Sequence, residues 1–327
     1  MNYYLGVDGG GTKTKFMISD EQGIILAQST QTNCHYLQCG FDGITQVMDK
    51  GLKECLKKCG LHEQDISSAF IACAGYGDIE KDCAPIEEAV HKAYKSFPYR
   101  IGNDTDNAIA GSLGGKCGIH IIAGTGSIGL GINEEHNTLR CGGWHHSFGG
   151  DEGSAYWIAC QLILHFTRQS DGREDKTLLY EYMKKEYQLK EDSDILDLCV
   201  VQWGFDRTRI AGMAKCVYEL AKRNDSIALQ IFKEAAKELS DIILAIYHKL
   251  PFKDPIINVS YSGGVFQSGP FILDSLREEL SQYPNLKLTA PLLSPEAGCI
   301  LLAMRENHQA ITRDILQNLS GKDFYCS

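Results

Sequence analysis

Three consecutive glycines, Gly9–Gly11, lie between two predicted β-strands near the beginning of the chain. The run is part of Asp8–Thr14, and apolar and polar residues alternate over Tyr3–Val7 before it and over Lys15–Ser19 after it. Because a strand and not a helix follows the glycines, the segment is neither a P-loop nor a dinucleotide-binding turn. A third alternating segment, Ile24–Ser29, completes a predicted three-stranded meander.

The same arrangement occurs a second time further along the chain. Gly118–Ala123 is an apolar strand candidate, Gly124–Ser127 is a second Gly/Thr turn, and Ile128–Ile132 is the strand candidate that returns from it. This is an internal repeat of architecture without evident sequence identity. Two related halves that face each other would enclose a cleft.

Segments with helical periodicity alternate with the remaining strands. The helices are predicted over Phe41–Cys59, Pro85–Tyr94, Asp104–Leu113, Ala155–Thr167, Ile210–Arg223, Ile227–Leu250, Pro270–Tyr283, Pro295–Arg305 and His308–Leu319. Further strands are predicted at Ala69–Ala74, Tyr99–Gly102, Ile256–Ser262 and Leu286–Ala290. Strands that alternate with helices predict an α/β fold with a mixed sheet. The length of 327 residues favours two domains.

The composition limits the possible partners. A net charge of −10 argues against nucleic acid and anionic membranes, because both need clustered Lys and Arg. The first residues lack the basic start and apolar region of an export signal, and no apolar run approaches the roughly 18 residues of a membrane span. The 13 cysteines form no Cys-x-x-Cys pair, which favours a reduced cytoplasmic protein without structural zinc. Cys141, His145 and His146 lack the companion ligands of a metal site.

The glycine turns predict anion binding. Glycines without Cβ let backbone N–H groups approach phosphate oxygens, and the Thr12 hydroxyl adds a donor. Asp8 could orient Mg²⁺ through water, because hard cations prefer carboxylate oxygen. An ordinary hairpin is the alternative for the first turn alone. A third turn, Ser262–Val265, could admit a base or ribose, or could serve close packing of a helix on a strand.

Asp104 is the predicted catalytic base. It lies between a short strand and a helix, and Asn103 and Asp106 flank it. A simple helix N-cap is the alternative role for Asp104, whereas Asp106 fits a solvated charge of the first turn. A carboxylate at the carboxyl end of a strand, in a cleft with two phosphate turns, could accept the proton of an attacking sugar hydroxyl.

The loop from Cys141 to Ser154 combines glycines, aromatic residues and carboxylates. An aromatic face such as that of Trp144 packs on the C–H face of a sugar, while Asp151 and Glu152 can accept hydroxyl protons. The alternatives are a core position for Trp144 and a helix N-terminal charge for the two carboxylates.

Taken together, the Asp8–Thr14 turn, Asp104, the Gly124–Ser127 turn and the loop from Gly142 to Trp157 resemble the BadF/BadG/BcrA/BcrD ATPase family and, within it, the N-acetylglucosamine kinases. The resemblance covers most of the chain and is weakest over Arg168–Asp197. It implies the actin/hexokinase/sugar-kinase fold, in which two ribonuclease-H-like domains are hinged around an ATP cleft.

The resemblance also implies domain limits. The first domain would cover residues 1–113 and be joined by a C-terminal helix at residues 308–327. The second domain would cover residues 114–307 and carry a helical insertion.

The turns and the resemblance together give a set of expected contacts. The ATP contacts are expected at Asp8, Gly10, Gly11, Thr12, Lys13, Gly124, Thr125, Gly126, Gly212, Gly263, Gly264 and Ser268. The sugar contacts are expected at Asn33, Asp104, Ser127, Ile128, Gly143, Trp144, His145 and Asp151, with Asp104 as the base. Mg²⁺ is expected at Asp8 through water.

The sequence departs from the family pattern around the expected sugar. Ile128 replaces an Asn that contacts the sugar, and His145 stands where Gly is usual. The Ser147–Gly150 stretch is one residue longer, and Cys34–Tyr36 is altered. These changes surround the expected sugar and not the phosphates.

The resulting prediction is a cytoplasmic, ATP- and Mg²⁺-dependent kinase that phosphorylates an amino sugar. The expected acceptor is the 6-hydroxyl of N-acetylglucosamine or a hydroxyl of a related sugar such as glucosamine or N-acetylmuramate. We expect a homodimer whose partner is a small-molecule sugar and that binds neither nucleic acid nor a membrane.

Two other functions are compatible with the family. One is an ATPase that activates a 2-hydroxyacyl-CoA dehydratase or benzoyl-CoA reductase through a shared iron–sulfur cluster, although the cysteines show no arrangement for such a cluster. The other is a non-catalytic sugar sensor, although no helix-turn-helix segment precedes Tyr3 and the presence of Asp104 favours chemistry.

Overall fold

The computed structural model describes residues 1–321 and contains two sheets. The strands are β1 (Tyr3–Gly9), β2 (Lys13–Asp20), β3 (Ile25–Thr32), β4 (Ile66–Cys73), β5 (Tyr99–Gly102), β6 (Gly118–Ala123), β7 (Ser127–Ile132), β8 (Thr138–Gly142), β9 (Ile257–Ser262) and β10 (Leu286–Thr289). The helices are α1 (Tyr36–Cys59), α2 (Glu80–Ala93), α3 (Asp104–Ser112), α4 (Ala155–Ser170), α5 (Leu178–Glu186), α6 (Asp194–Leu196), α7 (Arg207–Gly212), α8 (Ala214–Ala221), α9 (Ser226–Lys249), α10 (Pro270–Leu280), α11 (Pro295–Glu306) and α12 (Arg313–Ser320).

The chain divides into two compact units. Unit 1 comprises Met1–Lys116 and the segment that begins at Ala290, and unit 2 is Cys117–Thr289. The units differ from the expected domains chiefly over residues 290–307, because α11 packs on β1, β4 and α3 and so lies with unit 1. The expected C-terminal helix at 308–327 corresponds to α12 as far as Ser320, and residues 322–327 lie outside the described part of the chain.

The sheet of unit 1 has the order β3-β2-β1-β4-β5. Strands β1, β2 and β3 form the predicted antiparallel meander, while β4 and β5 continue the sheet in parallel. One face packs on α1 and α2 through a core that includes Ile44, Met48 and Leu52, and the other face packs on α11 and α12. A Cβ at Gly6 would overlap the α11 backbone, so this glycine lets α11 lie directly on β1.

The sheet of unit 2 has the order β10-β9-β6-β7-β8. Its antiparallel meander is β6-β7-β8, and β9 and β10 extend it in parallel on the far side of β6. Strand for strand this is the order of unit 1, which confirms the predicted architectural repeat. The long helix α9 covers the meander with a stripe of buried residues that includes Ile231, Ile243 and Ile246.

Most predicted elements are confirmed, with several local differences. Helix α2 begins at Glu80 and not at Pro85, and α5 was not predicted. Helix α1 starts at Tyr36 and is interrupted by Gly40, whose φ of 69° is non-helical. The predicted helix Ile210–Arg223 is two helices, α7 and α8. The predicted helix from His308 begins only at Arg313. Strand β8, whose five residues are all partly or fully exposed, was not predicted. Among residues 1–321, no helix is both long and apolar enough to cross a bilayer.

Candidate active site

The first glycine turn joins β1 to β2. The Gly10 N–H donates to the Lys13 carbonyl over 3.1 Å, which closes the turn. Gly9 is required by packing, because a Cβ there would overlap the Cys34 sulfur and the Ala72 carbonyl. Gly11 is different, since no atom lies within 4 Å of the position of its missing Cβ. Gly11, Thr12 and Lys13 are exposed, so their polar groups are accessible to a ligand.

Asp8 lies at the end of β1 and is partly buried. The Asn107 side-chain amide donates to Asp8 Oδ1 over 2.8 Å. Burial raises the pKa of Asp8, the Asn107 hydrogen bond lowers it, and the Glu296 charge raises it further. Lys15, opposite Asp8 on β2, forms an ion pair of 2.9 Å with Glu296. Asp8 is therefore a carboxylate whose charge is only partly compensated by its surroundings.

Asp104 is the first residue of α3, but the helix cap is built by its neighbours. The Asn103 side chain accepts from the Thr105 N–H, and the Asp106 carboxylate accepts from the Asn103 N–H over 3.0 Å. This capping box is formed by Asn103 and Asp106, whereas the Asp104 carboxylate bonds its own backbone N–H. The N-cap interpretation of Asp104 is therefore wrong, and Asp106 has a capping role in place of the expected solvated charge.

The surroundings of Asp104 raise its pKa above the ordinary value of a carboxyl group. Burial raises the pKa of Asp104 to about 6, the negative charges of Asp8, Asp78 and Asp106 contribute in the same direction, and a hydrogen bond with its own backbone N–H lowers it. A carboxyl group with a pKa near neutrality is suited to proton transfer. Strongly perturbed carboxylates of this kind are frequent at functional sites.

The altered segment after β3 is built around packing contacts. The buried Cys34 sulfur fills the space above Gly9, and a hydrogen bond from the Cys73 thiol lowers the pKa of Cys34. His35 caps α1, and the Tyr36 hydroxyl donates to Asp82 Oδ2 over 2.8 Å. The preceding Asn33 has a buried Oδ1 that accepts no hydrogen bond from residues 1–321. That oxygen is an acceptor available to a ligand.

The second glycine turn, between β6 and β7, is tied to the N-terminus of α4. The Ala155 N–H donates to the Gly124 carbonyl over 2.9 Å, and the Tyr156 N–H donates to the Thr125 carbonyl over 3.3 Å. The Ser127 hydroxyl donates to the Glu152 carbonyl over 2.6 Å. The turn, the acidic segment and the start of α4 therefore form one connected structure within unit 2.

Asp151 lies under this turn and pairs with an arginine that the sequence did not single out. Asp151 is only 3% exposed and has a positive φ of 64°. Its Oδ1 accepts from the Ser127 N–H over 3.3 Å, and its Oδ2 accepts from Arg207 Nη2 over 2.5 Å. A Cβ at Gly126 would overlap both partners of this ion pair. No motif identifies Arg207, because the contact spans 56 positions of the sequence.

The loop after β8 exposes its aromatic residues. Trp144 is 71% exposed, which excludes a core position for its side chain. The rings of His145 and His146 lie 4.1 Å apart, and His146 also meets Tyr156 edge-on at 4.8 Å. Ile128 packs where a Cβ of Gly143 would be. The loop thus presents an aromatic surface next to the second turn.

A cavity of about 310 Å³ lies within unit 2. Its walls are mainly apolar, with polar groups at Lys215, Tyr218, Gln267 and Ser268. Gly264 also lines it, and Gly212 follows the lining residue Ala211. Gly263 does not line the cavity: its φ of 106° and the proximity of the Ala123 carbonyl explain this glycine by backbone packing. The two adjacent glycines therefore serve different purposes.

Four glycines of residues 1–321 combine an ordinary φ with empty space around the missing Cβ, namely Gly11, Gly124, Gly212 and Gly264. Neither backbone conformation nor packing in this structure requires a glycine at these positions. All four belong to the expected ATP contacts.

The comparisons with known proteins agree with this architecture. The model of the BadF/BadG/BcrA/BcrD ATPase family matches residues 5–303. The N-acetylmuramic acid/N-acetylglucosamine kinase of Clostridium acetobutylicum is 29% identical and covers 94% of this chain and 99% of its own length. The N-acetyl-D-glucosamine kinase of Dictyostelium discoideum is 29% identical, with 92% of this chain and 97% of that protein covered.

Solved structures show the same fold. A structure from Chromobacterium violaceum aligns with a TM-score of 0.71 at 22% identity and covers 92% of this chain and 99% of that one. A ROK family glucokinase from Streptomyces griseus, solved with glucose and AMPPNP, aligns with a TM-score of 0.59 at 20% identity, with coverage of 93% and 100%. These likenesses confirm the predicted sugar-kinase fold. By its match over nearly the whole sequence, this chain belongs to the BadF/BadG/BcrA/BcrD ATPase family.

Proposed function

We propose that this protein is an ATP-dependent kinase that transfers the γ-phosphoryl group to a hydroxyl of an amino sugar, with the 6-hydroxyl of N-acetylglucosamine as the first candidate. The observation that carries the proposal is Asp104, a carboxyl group with a pKa of about 6 that its own helix cap does not use. The relatives named above act on N-acetylmuramic acid and N-acetylglucosamine, and a further relative from Vibrio cholerae is a glucosamine kinase at 25% identity.

In this mechanism Asp104 takes the proton of the attacking sugar hydroxyl. The sugar oxygen forms a bond to the γ-phosphorus, the bond from the γ-phosphorus to the β–γ bridging oxygen breaks, and ADP leaves. General-base assistance of this kind contributes about 10² to 10⁴ in rate. The remaining requirement of phosphoryl transfer is positioning and charge stabilisation.

The nucleotide would contact the two glycine turns and the cavity of unit 2. We assign the triphosphate to Gly10–Lys13 and Gly124–Gly126, and the nucleoside to the cavity lined by Gly264 and Ser268, next to Gly212 and Gly263. Open space at Gly11, Gly124, Gly212 and Gly264 supports this assignment, because a ligand that approaches the backbone closely excludes a side chain.

The surroundings of Asp8 fit a hydrated magnesium ion. Burial and the Glu296 charge raise the pKa of Asp8, while the Asn107 hydrogen bond and the charges of Lys15 and Lys13 lower it without cancelling the rise. Mg²⁺ keeps much of its water, so Asp8 would hold it through that water. When bound, the ion would neutralise charge on the phosphates.

The sugar contacts are proposed residue by residue. We assign it to the unpartnered oxygen of Asn33, to Ser127, Ile128 and Asp151, and to the loop residues Gly143, Trp144 and His145. The exposed indole of Trp144 offers an aromatic face, and the buried Oε2 of Glu152, which accepts no hydrogen bond from residues 1–321, is a further acceptor. Because Ile128 cannot hydrogen-bond through its side chain, we expect the range of accepted sugars to differ from that of relatives with Asn at this position.

The test is an ATP-consumption assay of the purified full chain with N-acetylglucosamine, glucosamine and N-acetylmuramate, with the phosphorylated position assigned by NMR. We expect ADP formation that requires an amino sugar and Mg²⁺. ATP hydrolysis without a sugar, or no turnover with any of the three, would contradict the proposal.

We also propose that the protein is a cytoplasmic homodimer. Light scattering of the purified chain measures its mass directly, and a single species at the 36.2 kDa of one chain would exclude the dimer. Fractionation of the source cells tests the compartment.

A further inference from the structure

We propose that Arg207 is a positioning residue for the sugar: it acts through Asp151 by holding that carboxylate against the second glycine turn. The inference rests on the proposed function, because the assignment of Asp151 to the sugar belongs to it. It adds a residue of the helical insertion, at the start of α7, to the machinery that sets sugar affinity.

The first observation is the ion pair itself. Arg207 Nη2 lies 2.5 Å from Asp151 Oδ2, and the exposed fractions of the two side chains are 40% and 5%. An arginine that pairs with a nearly buried carboxylate forms a short, charge-assisted hydrogen bond with a defined direction. Loss of one partner of such a pair leaves the other charge buried and uncompensated.

The second observation is that two elements hold the carboxylate from different directions. The Ser127 N–H of β7 donates to Oδ1, while Arg207 of α7 donates to Oδ2. The backbone carbonyl of Asp151 in turn accepts from the Ser154 N–H at the start of α4. These contacts fix the orientation of the Asp151 carboxylate. Arg207 is the contact that comes from α7, outside the glycine turn and the aromatic loop.

The third observation is the backbone of Asp151. A positive φ of 64° is unfavourable for a residue with a Cβ and persists where the surroundings enforce it. Gly126 has no room for a side chain because the ion pair occupies that space. Arg207, Asp151 and Gly126 thus fit together as one assembly, and removal of the guanidinium would free the carboxylate to turn.

A direct contact of Arg207 with phosphate is the rival role, because its guanidinium also lies beside the second turn. The two roles differ in what happens when Asp151 no longer carries a charge. A positioning residue then has nothing left to hold, whereas a phosphate ligand keeps its effect.

The test is a double-mutant cycle with Arg207→Met, Asp151→Asn and the combined variant, together with Arg207→Lys. The Michaelis constants for the amino sugar and for ATP, kcat and the melting temperature are measured for each. Arg173→Met is the matched control, because Arg173 forms an ion pair of the same 2.5 Å with Asp171 but both side chains are more than half exposed.

We expect Arg207→Met to raise the sugar KM at least tenfold and Arg207→Lys about fivefold, with the ATP KM within twofold of wild type. In the Asp151→Asn background, Arg207→Met should change the sugar KM by less than twofold. Arg173→Met should change neither constant. If Arg207→Met does not fold, the sugar KM values of Arg207→Lys and of the combined variant are compared with those of wild type and Asp151→Asn.

An undiminished effect of Arg207→Met in the Asp151→Asn background, or a rise of the ATP KM alone, would overturn the inference in favour of a phosphate contact. Equal constants for Arg207→Lys and wild type, together with a cycle that shows no coupling, would also overturn it. A wild-type protein with no amino-sugar-dependent ATP consumption would instead overturn the proposed function, and the inference with it.

Discussion

Asn107 reaches from α3 to β1 and donates its side-chain amide to Asp8 Oδ1 over 2.8 Å. The same amide also donates to the Pro295 carbonyl at the start of α11 over 3.1 Å. One fully buried amide thus joins the helix that carries Asp104 to the strand that carries Asp8.

Asn107→Leu keeps the volume of the side chain but removes both donations. We expect the free energy of unfolding to fall by about 1 to 3 kcal/mol per unsatisfied acceptor. The pKa of Asp8 should rise further, because the Asn107 hydrogen bond lowers it. Urea unfolding at pH 8 measures the change, and Asn137→Leu at an exposed position is the control. Equal stability of Asn107→Leu and wild type would show that the two hydrogen bonds of the Asn107 amide contribute little to the free energy of unfolding.

The pH dependence of turnover should report Asp104. Below its pKa of about 6 the carboxyl group is protonated and cannot accept the hydroxyl proton, so kcat/KM for the sugar should fall with a midpoint near pH 6. Asp78→Asn removes a neighbouring charge that raises this pKa, so its midpoint should lie at lower pH. The control is Asp171→Asn. An unchanged acidic limb in Asp78→Asn would argue that another group titrates.

Asp104→Asn should separate activity from stability. Turnover should drop at least a hundredfold because the base is lost. The pKa of Asp104 is about 6 in the folded chain against an ordinary value of 3.8, so ionisation weakens the fold by at most about 3 kcal/mol. This cost is absent below about pH 4, grows as the pH rises toward 6, and is complete above it.

Urea unfolding of Asp104→Asn should therefore show a variant that is more stable than wild type at pH 8, and a difference that shrinks at pH 5. A variant that is less stable at pH 8 would indicate that the carboxylate has stabilising partners. Near-wild-type turnover would remove Asp104 from the mechanism.

Two glycine substitutions should affect different properties, one the ATP KM and the other the stability of the fold. At Gly264 the space for a Cβ is free, so Gly264→Ala should leave the melting temperature nearly unchanged and raise the ATP KM about tenfold, with the sugar KM unaffected. At Gly298 a Cβ would overlap the Asn107 carbonyl, so Gly298→Ala should lose about 1 to 3 kcal/mol of stability. Thermal melts measure the stability of both variants, and steady-state kinetics at varied ATP concentration measure the ATP KM. A wild-type ATP KM for Gly264→Ala would indicate that the nucleotide does not bind in the cavity lined by Gly264.

Local patterns were sufficient for the meander of unit 1, for β6 and β7, and for both glycine turns. A strand–glycine–strand sequence depends on neighbouring residues only, and both turns lie where it predicts them. Strand β8 was missed although Leu139 and Cys141 alternate with Thr138 and Arg140 in it. The periodicity of α11 predicted the helix, but it could not show that α11 packs on β1, since that contact depends on the backbone space at Gly6.

Side-chain roles were harder to predict than positions. The pattern predicted a solvated charge for Asp106 and offered an N-cap as the alternative role of Asp104, whereas the hydrogen bonds show that Asn103 and Asp106 form the cap. Likewise the sequence cannot distinguish the adjacent glycines 263 and 264. Gly263 has a positive φ, whereas Gly264 has open space at the position of its missing Cβ. Arg207 gave no signal because its partner is distant in sequence.

Helices α3 and α11 cross with the Gly111 backbone against Gly298, where a Cβ at Gly111 would come within 3.3 Å of the Gly298 Cα. No compressible layer of side chains separates the two helices at this point, so a displacement of one is passed directly to the other. Directed evolution toward a new acceptor should consequently find few tolerated changes along this crossing. Beneficial substitutions should accumulate in the exposed aromatic loop, where backbone adjustments cost little.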